Sequence, residues 1–382
     1  MAGVYGGFGV MEEQVNSLSG QWMGRNIGDP SSLVVIDLDA VKDRACGSAY
    51  LFPEDDRIPA SFAKINVVNE FVEFSIEEDV GHFVSDLGYF PTWTELGERF
   101  PDIDLPTKVT ATFSPIDQIE AKLTWETNKG TGGSVALRRK SGDDKSSLAS
   151  EAEVTNWNDF QKYVSDLNPS RLVYRGQSEK WSLKTSFHRT RRRDLNRYLS
   201  EDIPRLQRAT SSRLRHVFDL SKPFENGAFM NLAQHHGFPT PLLDWTYSPY
   251  IAAYFAYSGV TDKHTGAIVR IYAFDIDTYT EKFPQHQTLT FMRPHFSFLE
   301  ALSIENDRAI PQQGLLSLTN LENIEEFIEY QERSGNRYLH AFDLPVEEKD
   351  KALSDLRLMG ITKSTLFPGL DSICEELRHR YF

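Results

Sequence analysis

The segment LAQHHGFPTPLLDWTYSPYIAAYFAY, residues 232–257, combines two adjacent histidines, a Gly-Phe-Pro turn, an Asp-Trp pair and an alanine-aromatic run. Its second half reads as a strand, LLDWT, running into a helix. YIAAYFAY spaces small and aromatic residues as a packed core helix does, and Ser248-Pro249 suits a first turn. Asp244 lies between Leu243 and Trp245, so it reads as a buried carboxylate that needs a partner, and it stays open between capping the next helix and catalysis. Adjacent histidines point apart on a strand, which singles out His235 as the ring to meet a ligand; a structural His pair with satisfied rings is the alternative. The segment reads as a strand-to-helix wall of a pocket.

Upstream, YRGQSEKWSLKTSFHR places Arg175 at the end of a short strand with Gly176 directly after it. Such an arginine can present its planar fork to a phosphate or carboxylate, or pair with a local acid, and the glycine would let a ligand approach the backbone. Trp181 and Leu183 read as core. NWNDFQKYVSDL spaces Trp157, Phe160, Tyr163 and Val164 on one helical face, and an arginine-rich region follows as two helices meeting near Pro204. AIVRIYAFDI reads as a buried strand, and EEKDKALSDLRLMG as a helix that stops at Gly360. This half is α+β.

Residues 20–140 differ in kind. Eight short β segments, several alternating apolar with polar as in AKLTWET, where Leu123 and Trp125 share a face, are punctuated by Gly, Pro, Asn and Asp. They predict an antiparallel all-β domain, a sandwich or a barrel, over residues 1–138. The polar stretch 139–153 reads as a linker, and residues 154–382 as a second domain. At 382 residues the chain is long enough for two cores.

The formal net charge is −14, of which roughly −11 lies in residues 1–150. Wholesale binding to a polyanion is therefore disfavoured unless positive charge is concentrated locally. Arginines 189, 191, 192 and 193 read first as a solvated face and second as a contact for nucleic acid or an acidic partner. His286, Arg293 and His295 lack metal-ligand spacing and read as structural. Two cysteines, Cys46 and Cys374, support neither a disulfide scaffold nor a zinc site. With no apolar run long enough to span a bilayer and no signal-peptide pattern, a cytoplasmic protein without a membrane partner is expected.

Taken in order, RGQ at Arg175 to Gln177, AQHHG at Ala233 to Gly237, LLDWT at Leu242 to Thr246, Ala252 with Phe255 and Ala256, QQG at Gln312 to Gly314, and FPGLD at Phe367 to Asp371 resemble the FRG domain, a family named for its Phe/Tyr-Arg-Gly motif. The likeness runs from about residue 155 to the end. Two positions depart from the pattern: His236 where tyrosine is common, and Leu315-Leu316 where an aromatic residue is common. More distantly the arrangement is similar to the core of ADP-ribosyltransferases, which at fold level implies NAD as the bound nucleotide. That resemblance implies that Arg175 holds phosphate with Gly176 and Gln177 beside it, that His235 and Thr246 contact the nicotinamide ribose, and that Gln313 orients the reacting ribose. The transferases usually carry a glutamate where Gln312 or Gln313 stands here, so the acidic role falls to Glu305 or Asp244. The implied function is ADP-ribose transfer to an acceptor, protein or nucleic acid, or NAD hydrolysis, as in a toxin or an anti-phage effector with the β-domain as sensor or regulator. The alternatives are a non-catalytic nucleotide-binding module and a purely structural interaction protein.

Overall fold

The computed structural model describes residues 18–28, 30–41, 44–68, 74–84, 91–140, 145–166, 172–190, 192–261, 266–299 and 302–382. Eight of its strands form one closed antiparallel barrel: β1 (Gly20–Asn26), β2 (Ser32–Val41), β3 (Arg44–Pro53), β4 (Ala60–Val68), β5 (Phe74–Phe83), β6 (Lys108–Pro115), β7 (Glu120–Thr127) and β8 (Gly132–Arg138). Each pairs with the next, and Met23 opposite Arg138 closes β1 on β8. The barrel resolves the choice between sandwich and barrel. Alternation supplies its core, with Trp22, Ile36, Leu38, Phe113, Leu123 and Leu137 buried and the Trp22 ring edge-on to Phe113. Trp125 packs against the same cluster as Leu123, as the period of two requires. A short helix, α1 (Trp93–Arg99), is held by a Thr92–Glu95 capping box.

The second half is α+β. Its strands β9 (Leu172–Gln177), β10 (Leu242–Thr246), β11 (Ile268–Asp275), β12 (Phe296–Leu299), β13 (Gly314–Thr319) and β14 (Leu339–Pro345) form an antiparallel sheet in the order β12-β13-β10-β9-β11-β14. Around it lie α2 (Trp157–Ser165), α3 (Leu195–Arg197), α4 (Ile203–Thr210), α5 (Pro223–His235), α6 (Pro249–Ser258), α7 (Ile276–Lys282), α8 (Ile324–Glu332), α9 (Lys349–Leu358), α10 (Lys363–Leu366) and α11 (Leu370–Tyr381). A π-helical turn, Tyr198–Asp202, joins α3 to α4, where Pro204 occupies the first turn.

Strand alternation divides the core into two layers. Tyr174 packs on one face with Trp157, Phe160, Ala252, Ala256 and Phe342, while Val173 packs on the other with Trp245, Phe274 and Phe296. The AIVRIYAFDI segment is buried as its composition predicts, but it carries a fully buried arginine. Arg270 meets Asp343 through Nε (2.6 Å) and Nη2 (2.8 Å), and its Nη1 donates to Ser146 Oγ at 2.8 Å. Ser146 also donates to Glu325 at 2.7 Å, so the polar stretch after residue 144 lies on this sheet.

One joint in the sheet differs from the rest. β9 pairs with β11 over six residues but with β10 only through Tyr174 opposite Thr246. The sheet is thus two three-stranded halves that diverge from a single bridge.

Arg192 and Arg193, read from sequence as a solvated face, join the two domains instead. Arg192 Nε donates to Asp39 on β2 at 2.6 Å, and the backbone amides of Arg193 and Asp194 donate to the same carboxylate. Arg193 Nη2 donates to Glu322 at 2.6 Å, and Glu322 accepts from the Gln21 backbone at 3.1 Å. Arg191 lies outside the described residues.

His188 and His295 are buried, and burial pulls both imidazoles down to about 3. They are neutral in the fold and protonate near 6.5 in the unfolded chain, so their stability contribution is lost as pH falls below about 6.5. Each histidine should remove about 2 kcal/mol between pH 7 and pH 5. Urea midpoints at the two pH values should therefore differ less for His188→Gln than for the parent chain. An unchanged difference would show that His188 does not titrate on unfolding.

Candidate functional site

The divergence of β9 from β10 opens a cleft of about 820 Å³. Arg175, Gly176, Gln177, His235, Asp244, Thr246 and Gln313 all line it. Phe255, Gln312 and Phe367, carried by the other motifs, line it too. Segments as far apart in sequence as Arg175 and Phe367 therefore converge on one place.

Arg175 follows the single-bridge position on β9. Its Nη1 donates to the backbone carbonyl of Asp244 at 2.7 Å, so the guanidinium spans the gap that the backbone leaves open. Burial pulls it down to about 10, with Asp244 opposing, and it remains a cation at neutral pH. Its buried Nε has no hydrogen-bond partner among the described residues.

Asp244 is exposed, contrary to the buried carboxylate expected between Leu243 and Trp245. The reason is the strand period. Leu243 and Trp245 face one core layer, and Asp244 faces the other way, into the cleft. Its Oδ1 accepts from Gln234 Nε2 at 2.7 Å, and Gln234 Oε1 accepts from Thr240 Oγ1. It does not cap α6; Ser248 does, accepting from the Ile251 amide at 3.3 Å.

His235 and His236 end a helix rather than sit on a strand: His235 is the last residue of α5 and His236 its C-cap. His236 is exposed, whereas both ring nitrogens of His235 are buried without a partner among the described residues. Burial lowers the His235 imidazole, with the Arg308 and His236 charges adding to the effect, which keeps the ring neutral at pH 7.

Other positions serve the frame more than the ligand. Thr246 is buried and its hydroxyl donates to Gln312 O at 2.8 Å, which fastens β10 to the β13 turn. Gln177 is buried and donates to Trp181 O at 3.1 Å. Gly176 does not make room for a ligand: a Cβ there would lie 1.8 Å from the Ala252 carbonyl oxygen, so the missing side chain lets α6 pack on β9. Ala252, Ala253 and Ala256 are fully buried in that contact, as the alanine run predicts. Trp181 stands 38% exposed on the cleft rather than in the core, while Leu183 is buried as expected.

Of the two glutamines, Gln312 is tied down by donating to Leu366 O at 3.1 Å. Gln313 is exposed with left-handed backbone (φ 47°), and its carbonyl accepts from the Tyr247 amide at 3.1 Å. Glu305 does not line the cleft; its Oε1 accepts the amides of Arg215 (2.8 Å) and His216 (2.7 Å). Among the described residues, Asp244 is therefore the sole carboxylate side chain lining it.

The sequence reading missed two lining arginines, Arg308 and, as a cleft residue, Arg189. The guanidinium of Arg308 lies 5.2 Å from the Phe367 ring centre, and Phe367 packs edge-on to Phe255 at 5.9 Å. The signal for Arg308 was its place four residues before the Gln-Gln pair. Arg175, Arg189 and Arg308 form no ion pair among the described residues, so the cleft is strongly cationic within an acidic chain.

No curated protein and no solved structure matches the chain. A family model does, over residues 170–265, a shorter span than the motifs suggested; it takes in Arg175, His235, Asp244 and Thr246 and stops before Gln313. Over residues 170–265 the chain matches the FRG domain.

Proposed function

We propose that the cleft binds NAD and that the chain is an ADP-ribosyltransferase-like enzyme, which passes ADP-ribose to an acceptor or, with water as acceptor, hydrolyses NAD. The observation that carries this reading is the makeup of the cleft: among the described residues, three arginines without an ion pair and one carboxylate, beside neutral His235 and the exposed amide of Gln313. A dinucleotide brings two phosphates, ribose hydroxyls and two flat rings. Arg175 meets the phosphates as a charge-assisted donor. His235 and Gln313 supply groups that can both donate to and accept from ribose hydroxyls. Phe255, Phe367 and the Arg308 guanidinium offer flat surfaces for a ring.

Asp244 then carries the acidic role. Its carboxylate stabilises the positive charge that builds on the ribose C1′ as the bond to the nicotinamide nitrogen breaks and the electron pair returns to that ring. The same carboxylate takes the proton of the attacking hydroxyl or water as the new bond to C1′ forms. Gln234, held by Thr240, fixes the carboxylate in place. Consumption of NAD is the action of a toxin or an anti-phage effector, with the barrel as sensor or regulatory module.

A second reading, nucleotide binding without turnover, is favoured by Gln313, whose amide cannot serve as a general base. Incubation with NAD labelled in the adenylate and nicotinamide parts, with and without cell extract, separates the two. Nicotinamide release or label transfer that vanishes in Arg175→Ala supports the enzyme. Saturable binding without release supports the module.

A further inference from the structure

Residues 203–217, IPRLQRATSSRLRHV, contain four arginines and no acidic residue, in a chain of net charge −14. They make up α4 and the turn that follows it. Arg205 pairs with Glu201 at 3.1 Å, but Arg208, Arg213 and Arg215 are exposed and have no acidic partner among the described residues. This segment is fastened to the cleft wall. The Glu305 carboxylate binds the amides of Arg215 and His216, and the loop that bears Glu305 contributes Asn306 and Arg308 to the cleft. Two large aromatic side chains stand open on the same cleft, Trp181 (38% exposed) and Tyr247 (37%).

From this arrangement we infer that the α4 segment and the mouth of the cleft form a docking surface for a single strand of nucleic acid. Unpaired arginines displace counterions from phosphates, and exposed rings stack on unpaired bases of any sequence. An acidic peptide would use the arginines but would leave the aromatic pair without a role, and a duplex would keep its bases from it. The surface stands independently of whether the cleft turns over NAD. It also relocates the nucleic-acid alternative: Arg192 and Arg193 are consumed in the domain interface, and among the described residues of that cluster Arg189 alone lines the cleft.

The test is fluorescence anisotropy of the full chain with a labelled 12-nucleotide single strand, as RNA and as DNA, at 50 to 200 mM salt, in the absence of NAD. Binding should fall steeply with salt. The triple variant R208E/R213E/R215E should bind at least about tenfold more weakly and lower the salt slope by about three, one per lost phosphate contact. Trp181→Ala should weaken binding about tenfold with the slope unchanged, and Arg138→Glu on the barrel should leave both unchanged. All substituted positions are exposed, so thermal melts should match the parent chain. No binding at 50 mM salt, or binding indifferent to the triple variant, overturns the inference. Equal affinity for a duplex, or equal competition by polyglutamate, overturns it as well.

Discussion

Asp244→Asn should reduce nicotinamide release by a factor of about 10² to 10⁴ while leaving NAD affinity close to that of the parent chain, the range expected when a general base is removed. The substitution is isosteric, and the asparagine oxygen still accepts from Gln234 Nε2 as Asp244 Oδ1 does. Geometry is thus retained and only the charge and the proton acceptor are lost. Glu305→Gln is the matching control, because Glu305 holds backbone amides outside the cleft and its loss should leave release unchanged. Release rates followed side by side for the two variants assign the acidic role. Near-normal release by Asp244→Asn, or loss in Glu305→Gln, would move it away from Asp244.

Gly176→Ala should lower stability by about 3 kcal/mol or more, at the upper end of overpacking costs. The added methyl would meet not only the Ala252 carbonyl oxygen at 1.8 Å but also Ala252 C and Ala256 N, both at 2.8 Å. These are backbone atoms of α6, so no side chain can swing aside and the helix must move off β9. That shift also disturbs the single bridge from which the cleft opens. For a domain of this size such a loss corresponds to a melting point lower by about 6 to 12 °C. A melt unchanged by the substitution would mean that α6 does not lie against β9 as described. Had the glycine served ligand approach, NAD binding alone would suffer and the melt would not.

The barrel was legible because each of its strands buries one face, and a period of two survives in the sequence. All eight predicted segments correspond to strands β1 to β8. Helix α1 was passed over although Thr92-x-x-Glu95 carries the capping-box signature. In the α+β half, ordered motifs brought Arg175, His235, Asp244, Thr246 and Gln313 to one cleft, yet their local environments were misread. Asp244 was taken as buried because its neighbours are apolar, when alternation turns it away from both. The histidines were assigned strand geometry, although they close α5. The contacts that place Arg192 and Arg193 between the domains link residues about 150 positions apart, and no local pattern reports such a pairing. Gly176 illustrates the same limit: glycine marks a close approach, but its sequence neighbours do not say of what.

The most direct test of the central claim is a calorimetric titration of NAD into the full chain without acceptor, in the parent and in Arg175→Ala. Saturable binding that weakens at least about tenfold on loss of the guanidinium, in line with a charge-assisted hydrogen bond, is the predicted result. No saturable NAD binding by the parent chain, or affinity untouched by Arg175→Ala, would contradict it.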